Sequence, residues 1–348
     1  MRLETTQDVV ESLDSPISSA VLGSAMELGL FWLLAEKPMP ASDVAQALRI
    51  PLNRCEIWLR LLSKLGLLEM DTKGYFPSAL AREAILNAQT QETWAFHARE
   101  NRESALYVQD LALNFGKPMS EWKTRVPMPL DYMDHIKQDP SYAVGLTRKL
   151  CEIHQPLADQ LAAMLDLRGV KSLLDLGGGS GVVSFALLRK KRNLISVVVD
   201  VERVCDVGRE IASQEGLARR VTYLVADLTQ DDLPAGFDVV MVCDVGMFTE
   251  TLFRKMYDAL NAKGQLVVVD KFAPTRTSPP ASRLPSAFLS SMQHPAASID
   301  FTTAEDVTTQ LQRVGFLDLS TTPVPHKDNL PWNIDWTMIR GRKDLLPV

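Results

Sequence analysis

Between Ser18 and Glu36, Leu22, Met26, Leu30, Leu33 and Leu34 recur at spacings of three and four, which predicts one amphipathic helix. Pro38 and Pro40 end that pattern, and Ala41 to Leu48 begins a second helix. Pro51 opens a third, which carries Ile57, Leu59, Leu61, Leu62 and Leu65 and has Gly66 as its expected C-cap. Leu67-Leu68-Glu69-Met70 and Tyr75-Phe76, joined by Asp71-Thr72-Lys73-Gly74, predict a hairpin. From Glu83 to about Gly169 the pattern is again helical, interrupted at Gly116-Lys117-Pro118 and Pro127-Met128-Pro129 and rich in aromatic and Met side chains.

After Val170 the rhythm changes. Val170 to Asp175 is an apolar run ending in an acid, followed by Gly177-Gly178-Gly179-Ser180-Gly181 and a helical stretch, Val182 to Leu188. Strand, glycine turn and helix in that order let the backbone pass close to a ligand. A second strand, Leu194 to Val199, ends at Asp200, where an acid can accept both ribose hydroxyls of a nucleoside. Further strands are expected at Val221–Val225, Phe237–Val242 and Gln265–Val269, with helices at Arg203–Glu215 and about Glu250–Leu260. Thr302-Thr303-Ala304-Glu305 reads as a capping box for a helix reaching Val314, and Phe316–Ser320 and Trp336–Arg340 as the final strands. The alternation is α/β with a mostly parallel sheet, so a ligand is expected beyond the strand C-termini. The glycine spacing is not G-x-G-x-x-G, which argues against hydride transfer.

Composition narrows the partners. The chain has 348 residues, enough for two or three domains, with 46% apolar and 23% charged residues and a net charge of -6. Three helices and a hairpin outline a winged helix, a fold that often binds DNA. Residues 1–100, however, hold nine Lys or Arg against thirteen Asp or Glu. The third helix offers only Arg54, Arg60 and Lys64 as cations, so packing or dimerisation is favoured and no nucleic-acid partner is expected. Cys55, Cys151, Cys205 and Cys243 form no CxxC pair and read as thiols of a reducing compartment. No apolar run has the roughly 20 residues needed to cross a bilayer, and a cytoplasmic location is expected. No metal site is expected.

Leu173-Leu174-Asp175-Leu176-Gly177-Gly178-Gly179-Ser180-Gly181, with Asp200 at the next strand end, resembles motif I of the S-adenosylmethionine-dependent class I methyltransferases. The order of parts resembles the plant-type and bacterial small-molecule O-methyltransferases over roughly residues 15–342. That resemblance implies a Rossmann-like, mostly parallel seven-stranded sheet and an N-terminal winged-helix dimerisation domain. The divisions are 1–100 for dimerisation, 101–168 for a helical connector lining the substrate pocket and 169–348 for catalysis. It further implies S-adenosyl-L-methionine as cofactor and a homodimer acting on an aromatic, polyketide-like or other conjugated-ring molecule. Gly177, Gly179 and Gly181, with Asp175, would cradle the methionine part; Asp200 would hold the ribose; Asp227 and Leu228 would meet the adenine.

The chain departs from the family at the base. A His-Asp-Trp string is expected just beyond the fourth strand, but Cys243-Asp244-Val245-Gly246-Met247-Phe248 stands there, and the His position is Met247, whose thioether cannot take a proton. Either an acidic acceptor reacts through alignment alone, or another base serves. His294 is the first candidate, with His97, His135 and His154 behind it; Asp244 either orients the acceptor or caps the next helix, and Met247, Phe288, Met292 and His154 are candidate pocket residues. The proline-rich Ala273–Ser298 segment, with an apolar helix expected over Ser286–Gln293, reads either as a lid or as a passive surface loop. Carbon methylation of a ring substrate, tetrapyrroles included, and cofactor-assisted hydroxylation or decarboxylation stay open beside O-methylation.

Overall fold

The computed structural model describes residues 4–108, 110–117, 121–123, 132–279, 288, 301–325 and 335–344. These group into two compact units, one running to Leu111 and the other built from Ala112–Lys123 and the chain from 132 onward.

The first unit contains α1 (Thr6–Glu27), α2 (Leu30–Glu36), α3 (Ala41–Leu48), α4 (Leu52–Lys64), the hairpin strands β1 (Leu68–Asp71) and β2 (Gly74–Pro77), α5 (Ala79–Ala81) and α6 (Gln91–Val108). The single helix expected over Ser18–Glu36 is two. Gly29 takes a left-handed conformation at φ 70°, so the chain turns there and redirects Leu30, Phe31 and Leu34 into the core. The start also lies earlier than the apolar pattern suggests, because Thr5 and Asp8 form a capping box. Gly66 does follow the end of α4, donating to Ser63 O at 2.9 Å with φ 76°. The hairpin is antiparallel, and Met39, outside it, exchanges two backbone hydrogen bonds with Tyr75 of β2, at 3.0 and 2.8 Å. Among the described residues no single helix is long and apolar enough to span a membrane; α1 and α2 reach that composition only jointly, across a 56° bend.

The second unit is a seven-stranded sheet. After α7 (Leu111–Asn114), α8 (Tyr132–Gln138) and α9 (Pro140–Met164), the chain runs β3 (Ser172–Leu176), α10 (Val182–Lys190), β4 (Ile195–Asp200), α11 (Glu202–Gln214) and β5 (Val221–Val225). Then come β6 (Phe237–Cys243), α12 (Glu250–Ala259), β7 (Leu260–Asp270), α13 (Ala304–Val314), β8 (Leu317–Pro323) and β9 (Thr337–Arg342). The order across the sheet is β5-β4-β3-β6-β7-β9-β8, parallel up to β7 and antiparallel at β9 and β8. The period-two pattern divides each strand between the faces. Leu173, Val239, Met241 and Val267 join a core with α9, α10 and α11. Leu174, Val240, Val242 and Leu266 join the other core with α12 and α13.

Two boundaries move. The fifth strand of this sheet begins at Leu260, five residues before the expected start, because Leu260 already pairs with Phe237. The capping box lies one residue later than Thr302…Glu305: Thr303, extended at φ -96° and ψ 161°, accepts from Asp306 N, and the Asp306 carboxylate accepts from Thr303 N. Glu305 is a first-turn acid outside the box.

Candidate active site

Strand order reverses at β3: β4 and β5 lie on one side, β6 and β7 on the other. The crevice at the C-terminal ends of β3 and β6 is therefore the switch point where open α/β sheets take their ligands. The glycine turn leaves β3 at that point. Gly177 N donates to Val199 O at 2.7 Å, and Gly177, Gly179 and Gly181 have φ of 63°, 58° and 87°. A Cβ on Gly177 would stand 2.6 Å from a Val245 methyl, and one on Gly181 would stand 2.8 Å from the Tyr223 hydroxyl. A Cβ on Gly178 would stand 2.7 Å from the Asp175 carboxyl, whereas one on Gly179 would meet nothing within 4 Å, so the turn is packed at Gly177, Gly178 and Gly181 and has room for a ligand only at Gly179. Gly181 begins α10 with no side-chain cap, which leaves the N–H groups of Val182 and Val183 uncapped by a side chain at the start of the helix, while that of Ser184 faces the Asp175 carboxyl.

Asp175 lies beneath the turn, 1% exposed. Its Oδ2 accepts from the Ser184 hydroxyl at 2.6 Å, and its Oδ1 has no hydrogen-bond partner. Burial pushes this carboxyl up to about 7; the Ser184 bond opposes that and the Asp200 charge adds to it. Asp200 faces the turn from the tip of β4, accepting from Gly179 N at 2.9 Å and Val201 N at 2.8 Å. Burial raises its carboxyl as well, against the pull of those two N–H groups. Asp175, the three glycines and Asp200 are thus gathered at one place. Asp227 follows β5 on the same edge, where its carboxylate accepts from the backbone N–H of Thr229 at 2.8 Å and from the Thr229 hydroxyl. Leu228 is half-buried against the α12 side of the sheet.

Across the switch point, Asp244 follows β6 in a left-handed conformation, φ 55°. It does not cap α12; Thr249 does. The Asp244 carboxylate instead meets two cation-forming side chains. His154 Nε2, from α9, stands 3.2 Å from Oδ2, and Lys271 Nζ, just past β7, stands 3.0 Å from Oδ1. Burial alone would raise the Asp244 carboxyl, but the His154 hydrogen bond and the Lys271 charge outweigh it and hold the group below the usual range. Trp336, entering β9, packs its ring edge-on to His154, centroids 5.7 Å apart, and carries Lys271 Nζ 4.2 Å above its face. Lys271 and Trp336 were not singled out by sequence reasoning; the one available signal was that Lys271 follows Asp270 at the tip of a parallel strand.

Met247 is half-buried and packs with Val245, Phe248 and Phe272 against the α12 side of the sheet. Phe288 is exposed, its ring 6.0 Å from that of Phe115. His294, Met292 and most of the Ala273–Ser298 segment lie outside the described residues. Among the described residues no His, Cys, Asp and Glu group could hold a metal ion. At the opposite edge of the sheet a shallow depression of about 440 Å³ involves Lys190, whose Nζ already donates to Leu165 O at 2.8 Å and closes the end of α9.

A glycine turn with room at Gly179, a buried acceptor without a donor and an acid at the next strand tip thus lie together at the switch point of a class I methyltransferase fold. The O-methyltransferase domain model matches residues 107–297, and the O-methyltransferase dimerisation domain matches residues 10–85. The chain belongs to the O-methyltransferase family, and is an S-adenosylmethionine-dependent methyltransferase. It is similar to 3-hydroxy-5-methyl-1-naphthoate 3-O-methyltransferase of Streptomyces sahachiroi, 29% identical over 64% of this chain and 63% of that protein, just under two thirds of its length. It is also similar to the N,N-dimethyltransferase OxyT of Streptomyces rimosus, 28% identical over 72% of this chain and 73% of that one. Among solved structures, PigF with SAH, a protein known from Serratia, matches at a TM-score of 0.74, covering 98% of this chain and all of that one at 19% identity, a likeness of fold.

Proposed function

We propose that the protein transfers a methyl group from S-adenosyl-L-methionine to a hydroxyl oxygen on an aromatic, polyketide-like small molecule. The observation that supports it most is the unpartnered Asp175 Oδ1 beside the open glycine turn, an acceptor in need of a donor such as the cofactor's ammonium group. The cofactor supplies an electrophilic methyl group on a sulfonium sulfur. In this reading Gly177, Gly179 and Gly181 admit the methionine part, Asp200 accepts the ribose hydroxyls after releasing Gly179 N, and Asp227 with Leu228 meets the adenine. Asp244 orients the acceptor, with Met247 and Phe288 on the acceptor side. Residues 101–168 contribute to the acceptor side, 169–348 bind the cofactor, and 1–100 pair two copies in a cytoplasmic homodimer. The phenolic acceptor in the naphthoate relative's name favours oxygen.

Methylation of an enolisable ring carbon is the second reading, and Met247 in place of a histidine favours it, since an acidic carbon acceptor can react mainly through proximity and alignment. Methyl-labelled cofactor with 3-hydroxy-5-methyl-1-naphthoate separates the readings. Label in a methoxy group supports the proposal, and label on a ring carbon supports the second reading. Turnover without label in the product would point to hydroxylation or decarboxylation. Calorimetry should find SAH bound by the wild type and bound at least about tenfold more weakly by Asp200→Asn. A correctly folded wild type that does not bind SAH overturns the assignment.

A further inference from the structure

The His position of the family is Met247, yet an imidazole stands at the same edge of the sheet, reached from a different element. His154 lies on α9, and its Nε2 meets Asp244 Oδ2 at 3.2 Å. Asp244 directly follows Cys243, the end of β6, and the next residue, Val245, closes against Gly177 in the cofactor turn. The imidazole is thus tied to the loop that borders the proposed methyl-transfer position. We propose that His154 is the proton acceptor of the methyl transfer, held in its basic tautomer by Asp244, with Lys271 and Trp336 as positioning residues. This rests on the O-methyl transfer reading above.

The tautomer follows from the chemistry of the pair. An ionised carboxylate can only accept hydrogen bonds, so the nitrogen facing it must carry the hydrogen. In the neutral imidazole that leaves Nδ1 with its lone pair, and no hydrogen bond to Nδ1 is found among the described residues. Lys271 Nζ straddles the carboxylate, 3.0 Å from Oδ1 and 3.2 Å from Oδ2, and the Trp336 ring backs Lys271 and His154, so the carboxylate and the imidazole are both held in place. A base oriented by a carboxylate that is itself pinned has the arrangement of groups used to activate weak hydroxyl nucleophiles. The cluster is also costly as a purely structural feature. Three ionisable side chains only 14–20% exposed give up hydration, and an apolar trio of like volume would pack there without that loss. Asp244 is held at φ 55°, an uncommon conformation of the kind concentrated at functional sites.

The step balances. The acceptor oxygen forms its bond to the methyl carbon as the carbon–sulfur bond breaks, and sulfur keeps that electron pair and becomes a neutral thioether. The hydroxyl proton passes to Nδ1 of His154, giving an imidazolium that Asp244 stabilises.

Two readouts test this. With methyl-labelled cofactor and 3-hydroxy-5-methyl-1-naphthoate as acceptor, His154→Ala should lower kcat by about 10²–10⁴-fold while SAH still binds. Asp244→Asn should lower kcat with little change in KM. Lys271 keeps the carbonyl oxygen of the new amide and turns its NH2 towards His154, which forces the hydrogen onto Nδ1. The second readout needs no turnover: imidazole ¹⁵N spectra of the cofactor-free protein at pH 8 should show Nδ1 bare in the wild type and protonated in Asp244→Asn. Those spectra also report whether each variant is folded. A kcat for His154→Ala within about threefold of wild type, a loss as large on His294→Ala, or a protonated Nδ1 in the wild type overturns the proposal. Each of those results leaves the methyl transfer reading standing, whereas loss of SAH binding by the wild type removes that reading itself.

Discussion

Gly177 has two independent reasons to lack a side chain: its φ of 63° and the Val245 methyl 2.6 Å from where a Cβ would sit. Gly177→Ala should therefore cost about 1–3 kcal/mol in urea unfolding and weaken SAH binding as Val245 is pushed aside. Asp175 makes a different kind of prediction. Its folded carboxyl keeps a proton up to about 7, whereas an unfolded one ionises near about 3.9. Between those values the native state binds more protons than the unfolded state, so this group makes stability fall as pH rises through the window and adds no further slope above it. Urea unfolding at pH 5 and pH 8 should show a smaller decline for Asp175→Asn than for the wild type. An equal decline in both would mean that Asp175 is ionised in the folded protein.

Elements were legible where the apolar period was strong, and less so at their ends, where a single residue decides. Every strand of the large sheet was expected from its apolar run, several of them marked further by an acid at the end. The break at Gly29 was hidden because Leu30, Leu33 and Leu34 continue a helical spacing across it; only the backbone conformation of the glycine separates the helices. The box at α13 was misplaced by one residue because Thr302 and Thr303 are chemically equivalent caps. Asp306, held by Arg276 and by the N–H and hydroxyl of Thr303, selects between them. Its carboxyl is drawn down to about 2 by the Arg276 bond first and the Thr303 bonds next. Thr303→Ala should destabilise the protein by about 1 kcal/mol and Thr302→Ala by much less, as read by urea denaturation. Equal costs would return the box to the position read from the sequence.

At the scale of the whole molecule, the cofactor side of the site could be read from one continuous string, while the polar cluster opposite it could not. His154, Asp244, Lys271 and Trp336 come from four separate stretches, and no spacing rule connects them; only the strand order makes them neighbours. The first unit offers its own long-range expectation. Val9, Val10, Leu13 and Ile17 line one exposed face of α1, and all but Val9 fall within the region matched by the dimerisation domain. A second copy of the chain is the proposed cover, so replacing Leu13 and Ile17 together with Asp should convert a dimer into a monomer in sedimentation velocity; an unchanged dimer would place the contact elsewhere. The sheet order has a further consequence for how the chain is made. β9 follows β8 in sequence but lies between β7 and β8. As the polypeptide leaves the ribosome, β7 therefore shows a bare edge and β8 has no neighbour until β9 slots between them. The Trp336 wall arrives in that same final insertion, so the nascent protein passes through a sticky, chemically incomplete stage in which chaperone protection matters most.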